Sequence, residues 1–180
     1  MNVRRVATGH DEDGKSVIAS DVMVEPIALQ IAPGAVFHPL WGGAEAPTFR
    51  NAGAPPDGTR FFPSAGGFGF GFVTILPEST VVTPEALDLD EAVAEANERL
   101  PGFFERVVHG EGGLHASATL DLGVVVAGQV SLEVDDGESV VLNVGDTYVQ
   151  SGTRHRWRNV GEVPAVPAAV AVGAHHRDID

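Results

Sequence analysis

The stretch from Gly113 to Asn159 constrains the fold more than any other part of the chain. It reads GLHASATLDLGVVVAGQVSLEVDDGESVVLNVGDTYVQSGTRHRWRN. Val130, Leu132 and Val134 alternate with Ser131 and Glu133, and Val140, Leu142 and Val144 alternate again. A period of two marks half-buried strands. Asp136-Gly137 lies between these runs and is a two-residue hairpin signal, because a tight turn of the right twist needs positive φ at both positions. Gly145-Asp146 turns the chain once more, Thr147 to Gln150 continues as a strand, and Arg154 to Asn159 reads as another. The run Val124–Val126 and residues 165–172 complete the set. Short strands at this spacing predict an antiparallel sandwich or barrel. A histidine stands near each end of the stretch, and the strands are expected to bring His115 and His155 together at a barrel mouth, with Asp121 as a third polar group.

The first half of the chain is less regular. Residues 1–20 predict an extended start, a turn at Asp11–Gly14 and a strand over Ser16–Ser20. Residues 27–41 read as one or two strands broken at Pro33-Gly34. Residues 42–67 carry Pro47, Pro55, Pro56 and Pro63 and show no period. So long a loop is functional, mobile or wrapped around the body. Phe68, Phe70 and Phe72 alternate with Gly69 and Gly71, which predicts a strand over Phe68–Leu76 with its aromatics in the core. Residues 83–106 are the one convincing helix. Thr83-Pro84 offers a start, Asp88 and Glu91 offer a second, capping-box-like start, and Pro101-Gly102 offers a stop. Leu89, Ala92, Val93, Ala96 and Leu100 fall on one helical face.

A chain of 180 residues fits one domain over 1–180: an arm and strands over 1–82, the helix over 83–106 and barrel strands over 107–174. The chain has no cysteine, which excludes disulfides and thiolate metal sites. The N-terminus has no apolar segment of signal-peptide type, and no tract is long enough to span a bilayer. These features predict a cytoplasmic protein with no membrane partner. A net charge of −14 disfavours nucleic acid, and no helix-turn-helix is present to read DNA.

The chain resembles the cupin family. His115, Ser117, Asp121 and Gly128 stand at the spacing of the first cupin motif, His-x-His, three or four residues, Glu, six residues, Gly. Gly145, Gly152, His155 and Asn159 fit the second motif, one residue shorter than its commonest form between the first Gly and the His. The likeness is to small single-domain cupins with an N-terminal extension, and the opening RRVATGHDEDGKSV shares it. The resemblance implies an all-β fold: a cupin jelly-roll β-barrel with an N-terminal arm of extra strands and one external helix. It also implies a homodimer with exchanged strands and a metal site built from two His and one Glu of the first motif and one His of the second. Ser117 and Asp121 depart from that ligand set.

Three readings of His115, Asp121 and His155 follow. They hold a divalent transition metal (Fe, Mn, Ni or Zn), since two imidazoles and one carboxylate form the set that binds such ions with positions left open. They form a metal-free pocket in which the His pair does acid–base or hydrogen-bonding work. Or they are satisfied by neighbours in a decayed site. Aspartate is also about 1.5 Å shorter in reach than glutamate. Ser117, Tyr148, Gln150 and Trp157 are candidate ligand-binding groups because they neighbour the two motifs. Arg154, Arg156 and Arg158 are expected to pair with Glu133, Asp135 or a subunit partner. His38 reads as packing, His175 and His176 as a frayed tail, and His109 receives no role. The function expected is a metal-dependent cupin enzyme, an oxygenase or isomerase that transforms an aromatic or polyketide-like metabolite. The alternative is a non-catalytic cupin that binds a small ligand with a weakened or absent metal site.

Overall fold

The computed structural model describes residues 1–82 and 87–179, apart from the side chains of Val107 and Glu111. Strands β1 (Val3–His10) and β2 (Ser16–Val24) form a hairpin. Its turn is built by Asp11, whose carboxylate accepts from the backbone N–H of Asp13 and Lys15. An Asp side chain that binds backbone two to four residues on is what holds such a turn. β2 runs four residues beyond the expected end because it pairs with β1 along its whole length, Val3 opposite Val24. The hairpin leans on the barrel through Arg5, which donates to the Leu40 carbonyl and stacks over Trp41.

Strands β3 (Ile27–Ala28), β4 (Ala35–Gly43) and β5 (Phe68–Ile75) follow, with the break at Pro33-Gly34 where the sequence placed it. Of the alternatives for the 42–67 segment, the wrapped form is found. The Phe61 N–H donates to the Pro101 carbonyl, and Gly66 and Gly67 pair with Gly173.

The helix α1 spans Leu89–Arg99, shorter than the 83–106 expected. Asp88 is its N-cap, accepting from Asp90 and Glu91 N–H, so the second proposed start is the true one. The Thr83-Pro84 start lies outside the described residues. The helix stops early because Pro101 has no N–H to donate and Gly102 turns the chain at φ +82°. Ala92, Ala96 and Leu100 are buried as expected, but Leu89 is 63% exposed.

The remaining strands are β6 (Val107–His109), β7 (His115–Ser117), β8 (Thr119–Ala127), β9 (Gln129–Glu133), β10 (Ser139–Asn143), β11 (Thr147–Ser151), β12 (Arg156–Arg158) and β13 (Val166–Gly173). One wall of the barrel is six strands in the order β11-β8-β13-β5-β4-β3. The facing wall is β10-β9-β12, and the pair β6-β7 is joined to it where His115 and His155 exchange backbone hydrogen bonds of 2.8 Å. The turn between β9 and β10 has positive φ at Asp136 and Gly137, as the Asp-Gly signal required. All strand pairs are antiparallel.

Two apolar clusters hold the body. Leu29, Phe37, Ala96 and Leu100 fasten α1 to β4, with Phe61 and Phe103 packed against them. Val125, Val130, Leu142 and Ala165 fill the barrel between its walls, joined by Tyr148 and Trp157.

Candidate functional site

A cavity of about 1290 Å³ opens between the clusters, lined by Phe37 and Leu100 of one and Tyr148 and Trp157 of the other. It exceeds the roughly 300–1,000 Å³ common for small-molecule pockets. His115, His155 and Asp121 all face it. Strand pairing places them: the His115–His155 bridge fixes one wall, while Asp121 sits on β8 opposite Gln150 of β11.

The imidazoles of His115 and His155 lie with ring centroids 4.4 Å apart at 47°. The His115 Nδ1 is 3.2 Å from the Gly113 carbonyl. The His155 Nδ1 is 2.9 Å from the Thr153 carbonyl and 2.7 Å from the Gln150 amide nitrogen. Burial, and then the neighbouring His115, push the His155 ring down to about 4. Burial lowers His115 as well. Both rings are therefore neutral at physiological pH, because loss of hydration penalises the charged form.

Asp121 behaves in the complementary way. Its Oδ1 is buried without a hydrogen-bond partner, and burial raises the carboxyl to about 6 against an opposing hydrogen bond from Thr119. The Tyr148 phenol is raised by burial and by Asp121. Its ring lies over Gly123, where a Cβ would meet ring atoms at 2.2 Å, so only glycine leaves room for the phenol.

The other expected site residues are distributed differently. Trp157 packs edge-on to Tyr148 at 4.8 Å and borders the cavity. Ser117 is fully buried and its hydroxyl is engaged with Thr119 at 2.8 Å. Gln150 is buried and spent on His155 and Thr153. The three arginines pair as read: Arg154 with Asp135, Arg156 with Glu133, and Arg158 with Glu133 and Glu78.

Sequence reading misassigned three further features. Phe70 and Phe72 do not fill the core; they border the cavity, and Phe70 is 39% exposed. His176 is tied to the body, its Nε2 3.0 Å from the Gly152 carbonyl. His109 stands opposite His115 in the β6–β7 register and also lines the cavity. Its ring centroid is 6.4 Å from that of His115, which gives a row of three imidazoles. The antiparallel turn Gly110–Leu114 between two histidines was the signal that could have found it.

The metal expected from the resemblance is not matched by these donors. Among the described residues no three His, Asp or Glu side chains converge as a ligand set. The geometry offers one close imidazole pair, and Asp121 does not complete it. Untagged protein is expected to carry well under one transition-metal ion per chain by mass spectrometry, before and after incubation with Fe(II), Mn(II), Ni(II) or Zn(II). Stoichiometric uptake that His155→Ala abolishes would overturn this.

Two antiparallel sheets facing each other across an apolar cavity, with polar groups on the strands that line it, define a jelly roll. Residues 103–170 match the family model Cupin_2, and that stretch is a cupin domain. The chain is 48% identical over 50 residues to the phomopsin biosynthesis cluster protein C' of Diaporthe leptostromiformis, covering 28% of this chain and 26% of that protein. It is 32% identical over 102 residues to the cupin-domain-containing oxidoreductase srdD of Neurospora crassa, covering 51% of this chain and 52% of that one. The matches thus span about a quarter to a half of the length of these curated relatives. Among solved structures, a putative ethanolamine utilization protein Q from Salmonella typhimurium LT2 aligns with a TM-score of 0.45 at 12% identity, over 97% of this chain and 99% of that one. Among the described residues no helix is long and apolar enough to cross a membrane.

Proposed function

We propose that this cupin is an enzyme that moves a proton on a small, largely apolar, oxygen-bearing metabolite of the aromatic or polyketide-like class. The observation that carries the reading is the Asp121 carboxyl, its Oδ1 buried without a hydrogen-bond partner, facing the same apolar cavity as two imidazoles. Groups whose surroundings push their proton affinities apart supply an acid and a base at one pH. Near neutrality the ionised Asp121 carboxylate and the neutral His115 ring are the bases that accept a proton from a carbon beside a carbonyl. The neutral His155 ring, with the Tyr148 phenol, gives a hydrogen bond to the carbonyl oxygen. Return of the proton to another carbon completes an isomerisation, and the balance needs no oxidant. The aromatic walls take the apolar body of the ligand and exclude water, which strengthens the polar contacts inside. The names of the relatives, which include biosynthesis-cluster proteins and oxidoreductases, favour an enzyme of small-molecule metabolism over a passive binder. With this proposal go the homodimer and the cytoplasmic location expected from the sequence.

The test is incubation with a panel of hydroxyaryl ketones in D₂O, followed by NMR. Enzyme-dependent deuterium uptake at the carbon beside the carbonyl is expected, falling at least about 100-fold in Asp121→Asn. Ketones that bind without any exchange would favour the non-catalytic binder instead.

A further inference from the structure

Gln150 looks from the sequence like a pocket group, yet it is 3% exposed and lies against His155. We infer that Gln150, held in place by Thr153, fixes His155 as the Nε2–H tautomer, so that the imidazole pair presents one hydrogen-bond donor, His155, and one acceptor, His115. This rests on the pair being the working site proposed above, and it assigns the two rings opposite roles within it.

The orientation of the amide comes first. The Gln150 nitrogen is 2.7 Å from the Thr153 carbonyl oxygen, and the Thr153 hydroxyl donates to the Gln150 amide oxygen at 3.1 Å. A carbonyl oxygen only accepts, so a flipped amide would press two oxygens together at that distance. Gly152, at φ +66°, makes the turn that brings Thr153 back beneath Gln150.

The tautomer follows. The same amide nitrogen lies 2.7 Å from the His155 Nδ1. An amide nitrogen donates two hydrogens and accepts none. Its contact with Nδ1 is a hydrogen bond only when Nδ1 is bare. A protonated Nδ1 would donate to the Thr153 carbonyl at 2.9 Å, but it would leave an amide hydrogen facing an N–H in a buried place. Buried donors are almost always satisfied. With Nδ1 bare, both amide hydrogens are used, one on the Thr153 carbonyl and one on Nδ1, which offsets the 2.9 Å approach of Nδ1 to that carbonyl, and the ring proton sits on Nε2. For His115 the logic reverses. Among the described residues its Nδ1 has the Gly113 carbonyl as partner, at 3.2 Å, so it carries the proton and its Nε2 is bare.

The two rings are thus complementary rather than equivalent. A ligand oxygen can accept from His155 while a neighbouring C–H or O–H yields its proton to His115. The Nε2–H of His155 also offers no lone pair to a metal ion. Gln150 and Thr153 act through His155 and are positioning residues.

Long-range ¹H–¹⁵N NMR of ¹⁵N-histidine-labelled protein at about pH 7.5, where neutral rings show their tautomers, reads this directly. The bare, downfield nitrogen is expected to be Nδ1 in His155 and Nε2 in His115. In Gln150→Glu the carboxylate accepts from Nδ1–H, and the His155 pattern is expected to reverse while that of His115 stays. Two rings with bare Nε2 in the unmodified protein would overturn the inference, as would a His155 pattern unchanged in Gln150→Glu. No ligand is needed, so the result is independent of the deuterium-exchange test of the proposed activity.

Discussion

Asp121→Asn is expected to make the protein more stable at neutral pH while removing the proton transfer proposed for it. Burial lifts this carboxyl from 3.8 to about 6. A folded-state value above the unfolded one means the native state holds its proton longer. Below about pH 4 both states are protonated and nothing is lost. Between about 4 and 6 the unfolded chain ionises first, and stability drains away. Above about 6 the full penalty applies, about 3 kcal/mol for two units. Asparagine has no such penalty, although its amide hydrogens also need partners. The variant is therefore expected to exceed the unmodified protein by about 1–3 kcal/mol at pH 7.5 and to match it near pH 4. Urea unfolding at the two pH values measures the gap. A gap that is the same at both, or negative at the higher pH, would show that Asp121 is not a costly desolvated carboxylate at neutral pH. Other carboxylates titrate in the same window, so only the difference between the two proteins isolates this one. The stability gained and the exchange activity lost would be two readings of one desolvated group.

The parts of this fold that are legible in the sequence are those set by local rules. Asp136-Gly137 needs positive φ at both residues, and few other dipeptides supply it. Asp88 caps α1 because a carboxylate before an apolar helical face captures free N–H groups. Pro33-Gly34 breaks β3 from β4 for equally local reasons. The pairing of His115 with His155 was legible through the motif spacing. What was missed depends on register and on which face of a strand points inward. Tyr148 and Gln150 lie two apart on one strand and so share a face, but alternation alone does not say whether that face points inward. The structure turns both inward, where Tyr148 reaches over Gly123 and Gln150 stops at His155. His109 gained its place only from the pairing of the very short β6 with β7. Phe70 and Phe72 obey the strand period but stand beside a cavity, which no period predicts. The helix was overextended because its apolar spacing continues past residues that cannot propagate it.

Phe37→Ala is expected to cost about 3–5 kcal/mol, the range for deleting a buried aromatic side chain. Phe37 is 5% exposed and is the residue through which β4 meets α1. Its ring takes edge contacts from Phe61 at 5.2 Å and Phe103 at 5.4 Å. Such pairs contribute about 0.5–1.5 kcal/mol each beyond their buried area. Ala92 and Ala96 face inward with no side chain able to fill the gap, and Leu100 is already packed. The void would join the existing cavity rather than collapse, because Phe37 is also one of its walls. A native domain is stable by only about 5–15 kcal/mol, so the loss is a large share of the whole. Urea unfolding should show a lower midpoint with the helical signal lost in the same transition as the strands. Phe49→Ala is the control. That ring is 74% exposed, and its removal should change stability by less than about 0.5 kcal/mol. A Phe37→Ala cost as small as the control's would mean that α1 is held to the barrel by something other than this aromatic cluster. The cavity's inner wall would then be set by the strands alone.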